Sequence, residues 1–362
     1  MKVFACSNCR QVVFFENVQC TRCGVPLAYL PDRRIVSALE EAPGPSEGPT
    51  AYVALAPAAE RARYRLCENY VHHGVCNWAV RADSDDALCR SCRLTTTIPD
   101  VANASAKAAW ARLEIAKRRL LYTLLELDLP VEPRDATGNG LAFVFAEDRD
   151  GEHVFTGHAG GVITINLAEA DDPTREATRR DMGEPYRTLL GHCRHEVGHY
   201  YWDRLVRDSR WLAAFRAGFG DERADYAQAR DRHYANGPPA DWATAYVSAY
   251  ASMHPWEDWA ETFAHYLHMV DTLETARSYG LALRPRPVDG ASLPEVTARR
   301  LDFDDFDDLV TAWVPLTIAV NSLNRGMGLP DLYPFVLSPD SVRKLQLVHD
   351  IVEDRAGAAR PS

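Results

Sequence analysis

The chain has 362 residues, 46% of them hydrophobic, 10% aromatic and 25% charged, with a formal net charge of −11. It is too apolar and aromatic for a disordered chain, and too acidic for one that binds nucleic acid over its whole surface. Its strongest apolar stretches, such as 313–320, fall short of the ~20 residues of a membrane span. The start, MKVFACSNC, lacks an apolar h-region and a small-residue cleavage site, so a cytoplasmic chain with no membrane contact is expected.

Charge and cysteine divide the chain in opposite ways. Residues 1–100 hold 11 basic and 11 acidic residues, while the remainder holds 29 and 40. Eight of the nine cysteines precede residue 93, and the ninth is Cys193. Without an export signal, such cysteines point to metal ligands rather than disulfides. The expected organisation is a zinc ribbon over 1–40, a Pro/Gly-rich linker over 41–62, a second four-cysteine segment over 63–98 and a larger body over 99–355.

Cys6-Ser-Asn-Cys9 and Cys20-Thr-Arg-Cys23 are two CxxC knuckles. Each such turn aims two thiolates at one ion about 2.3 Å away, and two turns close a tetrahedral site. Gly24 supplies the positive φ that such a knuckle tends to need, and 12–15 (VVFF) reads as a strand. A segment this short cannot build a core alone, so a structural zinc supplies its folding energy. A redox dithiol needs only one CxxC, and a rubredoxin-type iron fits the same spacing. Cys67, Cys76, Cys89 and Cys92 form a second quartet with only one regular knuckle. Four thiolates on zinc is the preferred reading, with His72 and His73 as surface residues of the loop. Ligands of the two quartets can also interleave by spacing alone. The neutral ribbon region favours a protein partner over nucleic acid.

After Pro99 the periodicity is helical. Asn103 or Ser105 caps a helix reaching 127, with Trp110, Leu113, Leu120, Leu121, Leu124 and Leu125 as its apolar stripe. Residues 141–146 (LAFVFA) and 162–167 (VITINL) read as strands. Helices are expected over 184–207, 221–235, 255–278, 305–324 and 340–354. The fold class is α+β with a mostly helical body.

Within the first of those helices stands His195-Glu196-Val197-Gly198-His199. Residues four apart share a helix face, so both imidazoles can hold one zinc, with Glu196 beside the open position. Such a metal lowers the pKa of water to about 7 and polarises a carbonyl, while the glutamate serves as general base. A third ligand is expected in His254-Pro255-Trp256-Glu257-Asp258-Trp259-Ala260-Glu261. Glu257 and Glu261 are i,i+4 neighbours on a helix otherwise rich in large apolar residues, with His265 and His268 on the same face. Glu257 is assigned to the metal and Glu261 to the acceptor that orients a ligand histidine; the reverse assignment satisfies the same spacing. Lesser candidates are Cys193, as a buried small residue, and Asp203, which either bonds a ligand imidazole or pairs with an arginine. Residues 221–239 lie between the two zinc helices and can cover or border the cleft; a solvated helix and turn is the preferred reading. Strand 162–167 is the candidate edge for an extended peptide.

The arrangement resembles the gluzincin metallopeptidases. Trp259-Ala260-Glu261-Thr262-Phe263 is similar to a phenylalanine-alanine-glutamate-x-phenylalanine segment in the anthrax lethal factor group. That resemblance implies Glu257 as the ligand and Tyr250, seven residues earlier, as the group that steadies the oxyanion. Over residues 1–350 the cysteine knuckles, HEVGHYYW and Ser248-Ala249-Tyr250-Ala251 leading into HPWEDWAETFAHYLH resemble a bacterial family of zinc-ribbon-bearing zinc-binding metallopeptidases. It implies a zincin-like domain acting on peptides or proteins, with one catalytic and two structural zinc ions. The alternative is a zinc-ribbon adaptor whose peptidase-like domain is silent.

Overall fold

In the computed structural model of the chain, residues 1–43, 49–59, 61–148, 152–181, 186–286, 295–296 and 305–359 are described. Packing divides the chain into Met1–Glu126 with Pro130–Glu176, and Leu127–Leu129 with Ala177–Ser362.

The first unit begins with β1 (Phe4–Ala5) and β2 (Val12–Val13), paired antiparallel across the first knuckle. Then come β3 (Leu27–Leu30), β4 (Ile35–Glu41), β5 (Ala51–Ala54), β6 (Arg63–Leu66) and β7 (Ala79–Arg81), each antiparallel to the next. The Tyr29 amide donates to the Asn77 carbonyl at 2.9 Å, and Tyr29 bridges Trp78, so the sheet curls until β3 meets β7. Its core is small-sided: Ala28, Ala54, Ala56, Ala59 and Ala79 pack with Leu30, Leu39 and Tyr64. Short side chains let a curled sheet close on itself without voids.

The stretch 41–62 therefore carries a strand where a linker is expected. Pro49 and Pro57 stand on either side of β5, which is too short to show its alternation. Residues 44–48 and 60 of that stretch lie outside the described residues.

The short α1 (Glu68–Val71) follows Cys67. Helix α2 (Ala104–Glu126) starts as its sequence demands: the Asn103 side chain accepts from the amides of Ser105 and Ala106. Its expected stripe is buried throughout. Strands β8 (Thr95–Thr97), β9 (Ala142–Ala146), β10 (Gly157–Ala159) and β11 (Val162–Asn166) form a sheet in the order β10-β11-β9-β8. Strand β11 is parallel to β9 on one side and antiparallel to β10 on the other. It is an inner strand, so the expectation that it offers a free edge to a peptide is corrected. The division between the units falls within helix α3 (Asp172–Asp181), after Glu176.

The second unit is helical: α4 (Leu189–Tyr201), α5 (Leu212–Phe219), α6 (Tyr226–Asn236), α7 (Pro255–Ser278), α8 (Phe306–Gly326) and α9 (Pro339–Ala359). Helix α7 is its centre and packs against α4, α5, α8 and α9. A buried ion pair joins two of these helices, with Lys344 Nζ donating to Asp258 at 2.5 Å and to the Ala245 carbonyl at 2.8 Å. The helix expected from 184 begins at 189, because the Thr188 side chain caps it by accepting from the Gly191 amide; Glu184 itself lies outside the described residues. Among the described residues, no helix is long and apolar enough to cross a membrane.

Candidate metal centre

The thiols gather as two separate quartets, Cys6/Cys9/Cys20/Cys23 and Cys67/Cys76/Cys89/Cys92, so the ligands do not interleave. Sulfur–sulfur distances are 3.8 Å for Cys6 to Cys23, 3.6 Å for Cys9 to Cys20 and 3.7 Å for Cys76 to Cys89. A tetrahedron with Zn–S bonds of about 2.3 Å has edges of about 3.8 Å, whereas a disulfide would need about 2.05 Å. Both quartets thus have the dimensions of four-thiolate zinc sites. Backbone amides support the sulfurs: Cys89 N donates to Cys67 Sγ, Cys92 N to Cys89 Sγ and Trp78 N to Cys76 Sγ. In the first quartet the Val25 amide lowers the Cys23 thiol to about 6, while burial and the neighbouring thiols push Cys9 up to about 12, as crowding of four thiols without a cation requires. Gly24 takes the expected positive φ, at 71°. His72 and His73 join neither quartet.

The third cluster is built by two helices in unusually close contact. A Cβ on Gly198 would stand 3.0 Å from Ala260 Cα and 3.1 Å from its carbonyl oxygen. Any larger residue would have to push α7 back by a few tenths of an ångström at this crossing. The Trp259 indole seals it by donating to the Gly198 carbonyl at 2.9 Å. Helix α7 starts at Pro255, with the His254 side chain as its cap, accepting from the Trp256 amide at 3.1 Å. That start sets Glu257 and Glu261 one turn apart, facing His195 and His199.

His195, His199 and Glu257 bring one donor atom each within 4.8 Å of one another. Glu257 Oε2 lies 3.0 Å from His195 Nε2 and 3.4 Å from His199 Nε2. Bonds of about 2.0–2.2 Å to a tetrahedral zinc would set these nitrogen–oxygen edges near 3.4 Å. Oε2 is buried and lies between the two Nε2 atoms, where a cation shared by all three would sit. The donor set and its spacing fit zinc.

Around them the residues take distinct places. Glu261 accepts from His195 Nδ1 at 2.7 Å through Oε1 and from Ser248 Oγ at 2.6 Å through Oε2. It therefore stands behind the imidazole, outside the three-donor cluster. Tyr226 donates to Glu257 Oε1 at 2.8 Å. Tyr250 opens a short turn before α7, with its ring 6.0 Å from His195 and 6.0 Å from His233. Glu196 is 9% exposed, and its charge is felt at Tyr226. Trp256 lies 3.9 Å from the His199 ring.

Other residues of the expected stripe go elsewhere. His265 Nδ1 meets the Tyr333 hydroxyl at 2.8 Å, and His268 packs on Trp313 and Tyr333. Asp203 pairs with Arg207. Cys193 is fully buried in α4.

The electrostatics tie metal uptake to protons. Burial opposes a charged His195, but Glu257 and Glu261 outweigh it and raise the imidazole well above its usual 6.5. Burial likewise opposes an ionised Glu261, yet His195 and Ser248 hold it at about 2. The metal-free cluster therefore keeps a proton on His195 at neutral pH, and zinc must displace it. Cobalt titrated into this cluster, with zinc kept in the thiol quartets, should bind up to ~10-fold tighter per pH unit as pH rises towards the raised pKa. Competition titrations at three pH values check this, and an affinity flat with pH contradicts it. The sign reverses for the metal-free fold. A raised His195 stabilises it fully below about 6.5 and progressively less as pH climbs through the folded value.

Tyr226 and Ser248 are the site residues that sequence reading missed. Tyr226 belongs to the segment read as solvated, and most of α6 is indeed exposed. Its partner Glu257 is 31 residues away, and no local period reports such a bond. Ser248 is nearer, 13 residues before Glu261, but a lone serine carries no ligand pattern.

Comparison with known proteins agrees with this layout. A zinc-ribbon domain family matches residues 3–103, and the family described as "Putative zinc-binding metallo-peptidase" matches residues 106–351. Uncharacterized proteins of Mycobacterium tuberculosis and Mycobacterium bovis are 43% identical over the whole of this chain and 98% of their own length. No solved structure matches. The second match covers well over half of the chain and contains both helices that carry the histidines and glutamates, so the chain belongs to this zinc-binding metallopeptidase family and carries a zinc-ribbon region ahead of the peptidase part.

Proposed function

We propose that the chain is a cytoplasmic zinc metallopeptidase of gluzincin type that hydrolyses peptide bonds in peptide or protein substrates. The observation that carries the reading is the convergence of His195 Nε2, His199 Nε2 and Glu257 Oε2, on a helix where Glu196 directly follows His195. Zinc held there supplies Lewis acidity, activating water and polarising the scissile carbonyl. Glu196 takes the proton of the attacking water and returns it to the leaving amine. Tyr250, half-buried and with its phenol pKa raised by desolvation, remains a proton donor and steadies the developing oxyanion. Glu261 holds the His195 ring in orientation and fixes the proton on Nδ1, leaving Nε2 for the metal.

Two further zinc ions fold the thiol quartets. Metal quartets in place of disulfides suit a reducing compartment. Val12 and Phe14, 50% and 56% exposed beside the first quartet, favour a protein as the ribbon's partner.

Metal analysis of the pure protein and a peptide-library digestion test the reading together. Wild type should hold three zinc ions, one for each of the three donor clusters, and cleave peptides. His195→Ala with His199→Ala should lose one zinc and all cleavage. Two zinc ions in wild type would remove the catalytic site. A three-zinc protein that cuts nothing would favour a binding role for the peptidase-like domain.

A further inference from the structure

We propose that Tyr226 is a positioning residue for Glu257: its hydroxyl occupies one carboxylate oxygen, so that the other alone serves as the metal donor. The inference rests on the reading of His195, His199 and Glu257 as a zinc site, and goes beyond it by assigning a fourth residue that sets how the glutamate binds.

A glutamate can hold a metal through one oxygen or two, and a bidentate glutamate fills a coordination position that water or substrate needs. Here the two oxygens are sharply distinguished. Oε1 accepts from the Tyr226 hydroxyl at 2.8 Å. Oε2 is not bonded to Tyr226 and faces both Nε2 atoms. Glu257 is 2% exposed, so solvent does not compete for either oxygen.

The phenol is itself fixed. Its ring lies 5.3 Å from His254 and 6.2 Å from Trp256. Two residues earlier, the Ala224 carbonyl accepts from His254 Nε2 at 3.0 Å. Asp225 caps α6 by accepting from the Gln228 amide at 3.0 Å. The entry to α6 is thus fastened to the cap of α7, three residues before Glu257. A hydroxyl held this way can choose one oxygen without being drawn to the other.

Coupling between a ligand and its support is reciprocal. If the Tyr226 hydroxyl strengthens metal binding at Glu257, a bound metal must strengthen the docking of Tyr226 by the same factor. Most of α6 beyond that contact is exposed, so its first amides report the effect directly.

The test uses the full-length protein with zinc in the thiol quartets and cobalt as the probe of the histidine cluster. Tyr226→Phe keeps the ring contacts and removes only the hydroxyl. Cobalt should bind ~10–100-fold more weakly. The visible absorption of the fully loaded variant should also weaken and shift, as a second carboxylate oxygen joins the metal and the geometry leaves tetrahedral. In the unaltered protein, cobalt should slow hydrogen exchange at the first amides of α6. Wild-type affinity and spectrum in Tyr226→Phe would overturn the proposal. Weaker binding with an unchanged loaded spectrum would overturn it too, since a merely loosened helix gives that result. Absence of metal-dependent protection in α6 overturns it without any variant. A wild-type protein that takes no cobalt at the histidines overturns the metallopeptidase reading along with it.

Discussion

Glu196→Gln is expected to lower kcat by at least ~10²–10⁴-fold, the usual range for loss of a positioned general base, while zinc content stays at the wild-type value. Glutamine has the size and hydrogen-bonding reach of glutamate but cannot take a proton. The donors His195, His199 and Glu257 are untouched, as is the Trp259–Gly198 hydrogen bond that holds α4 against α7. KM should change little, because the lost interaction belongs to the transition state. The variant should remain folded, since the exchange keeps the volume of a side chain that is 9% exposed. Steady-state kinetics on the best peptide from a library, with zinc measured on the same samples, decide the matter. Cleavage at the wild-type rate would show that another group, or another protein, does the chemistry.

Cys89→Ser is expected to act on the fold as strongly as the first variant acts on the chemistry. The four thiols of its quartet are 0–3% exposed. They join the end of β6, the start of β7 and the turn that leads into β8. Structural zinc contributes an apparent ~10–16 kcal/mol at neutral pH, as much as the whole stability of an ordinary domain. Loss of one thiolate should release that zinc, leaving about two per chain by the count of donor clusters, and unfold the curled sheet at moderate temperature. Cys193→Ala is the matched control, a buried cysteine outside all three clusters, and should keep every zinc. Zinc analysis and thermal melts followed by limited proteolysis distinguish the two. A Cys89→Ser protein with full zinc and an unchanged melt would mean that the second quartet is not a metal site.

These two sites were legible in the sequence for a local reason. In HExxH the donors are four residues apart on one helix, and in CxxC they share one turn, so spacing alone fixes which side chains meet. Helices α2 and α7 declared their limits through Asn103 and Pro255. What stayed hidden depends on partners far along the chain. The neighbours of β11 are set by β9 and β10, and nothing within its own five residues says that both edges are taken. The curled sheet was missed because β3 is buried on both faces and β5 spans only four residues, so neither shows a period of two. The place of Tyr226 follows from a bond across 31 residues, and that bond depends on the first turns of α6 and α7 meeting.

Gly198 has a consequence for ion size. Where α4 and α7 touch backbone to backbone, no layer of side chains can yield between them. The histidines and Glu257 are therefore carried on a stiff frame whose donor atoms are spaced for bonds of about 2.0–2.2 Å. Calcium, which prefers six to eight oxygens at 2.3–2.6 Å, finds two imidazoles and one carboxylate in their place. The same glycine that lets the helices close thus brings together, from two helices, a donor set and spacing suited to a small ion that takes nitrogen ligands.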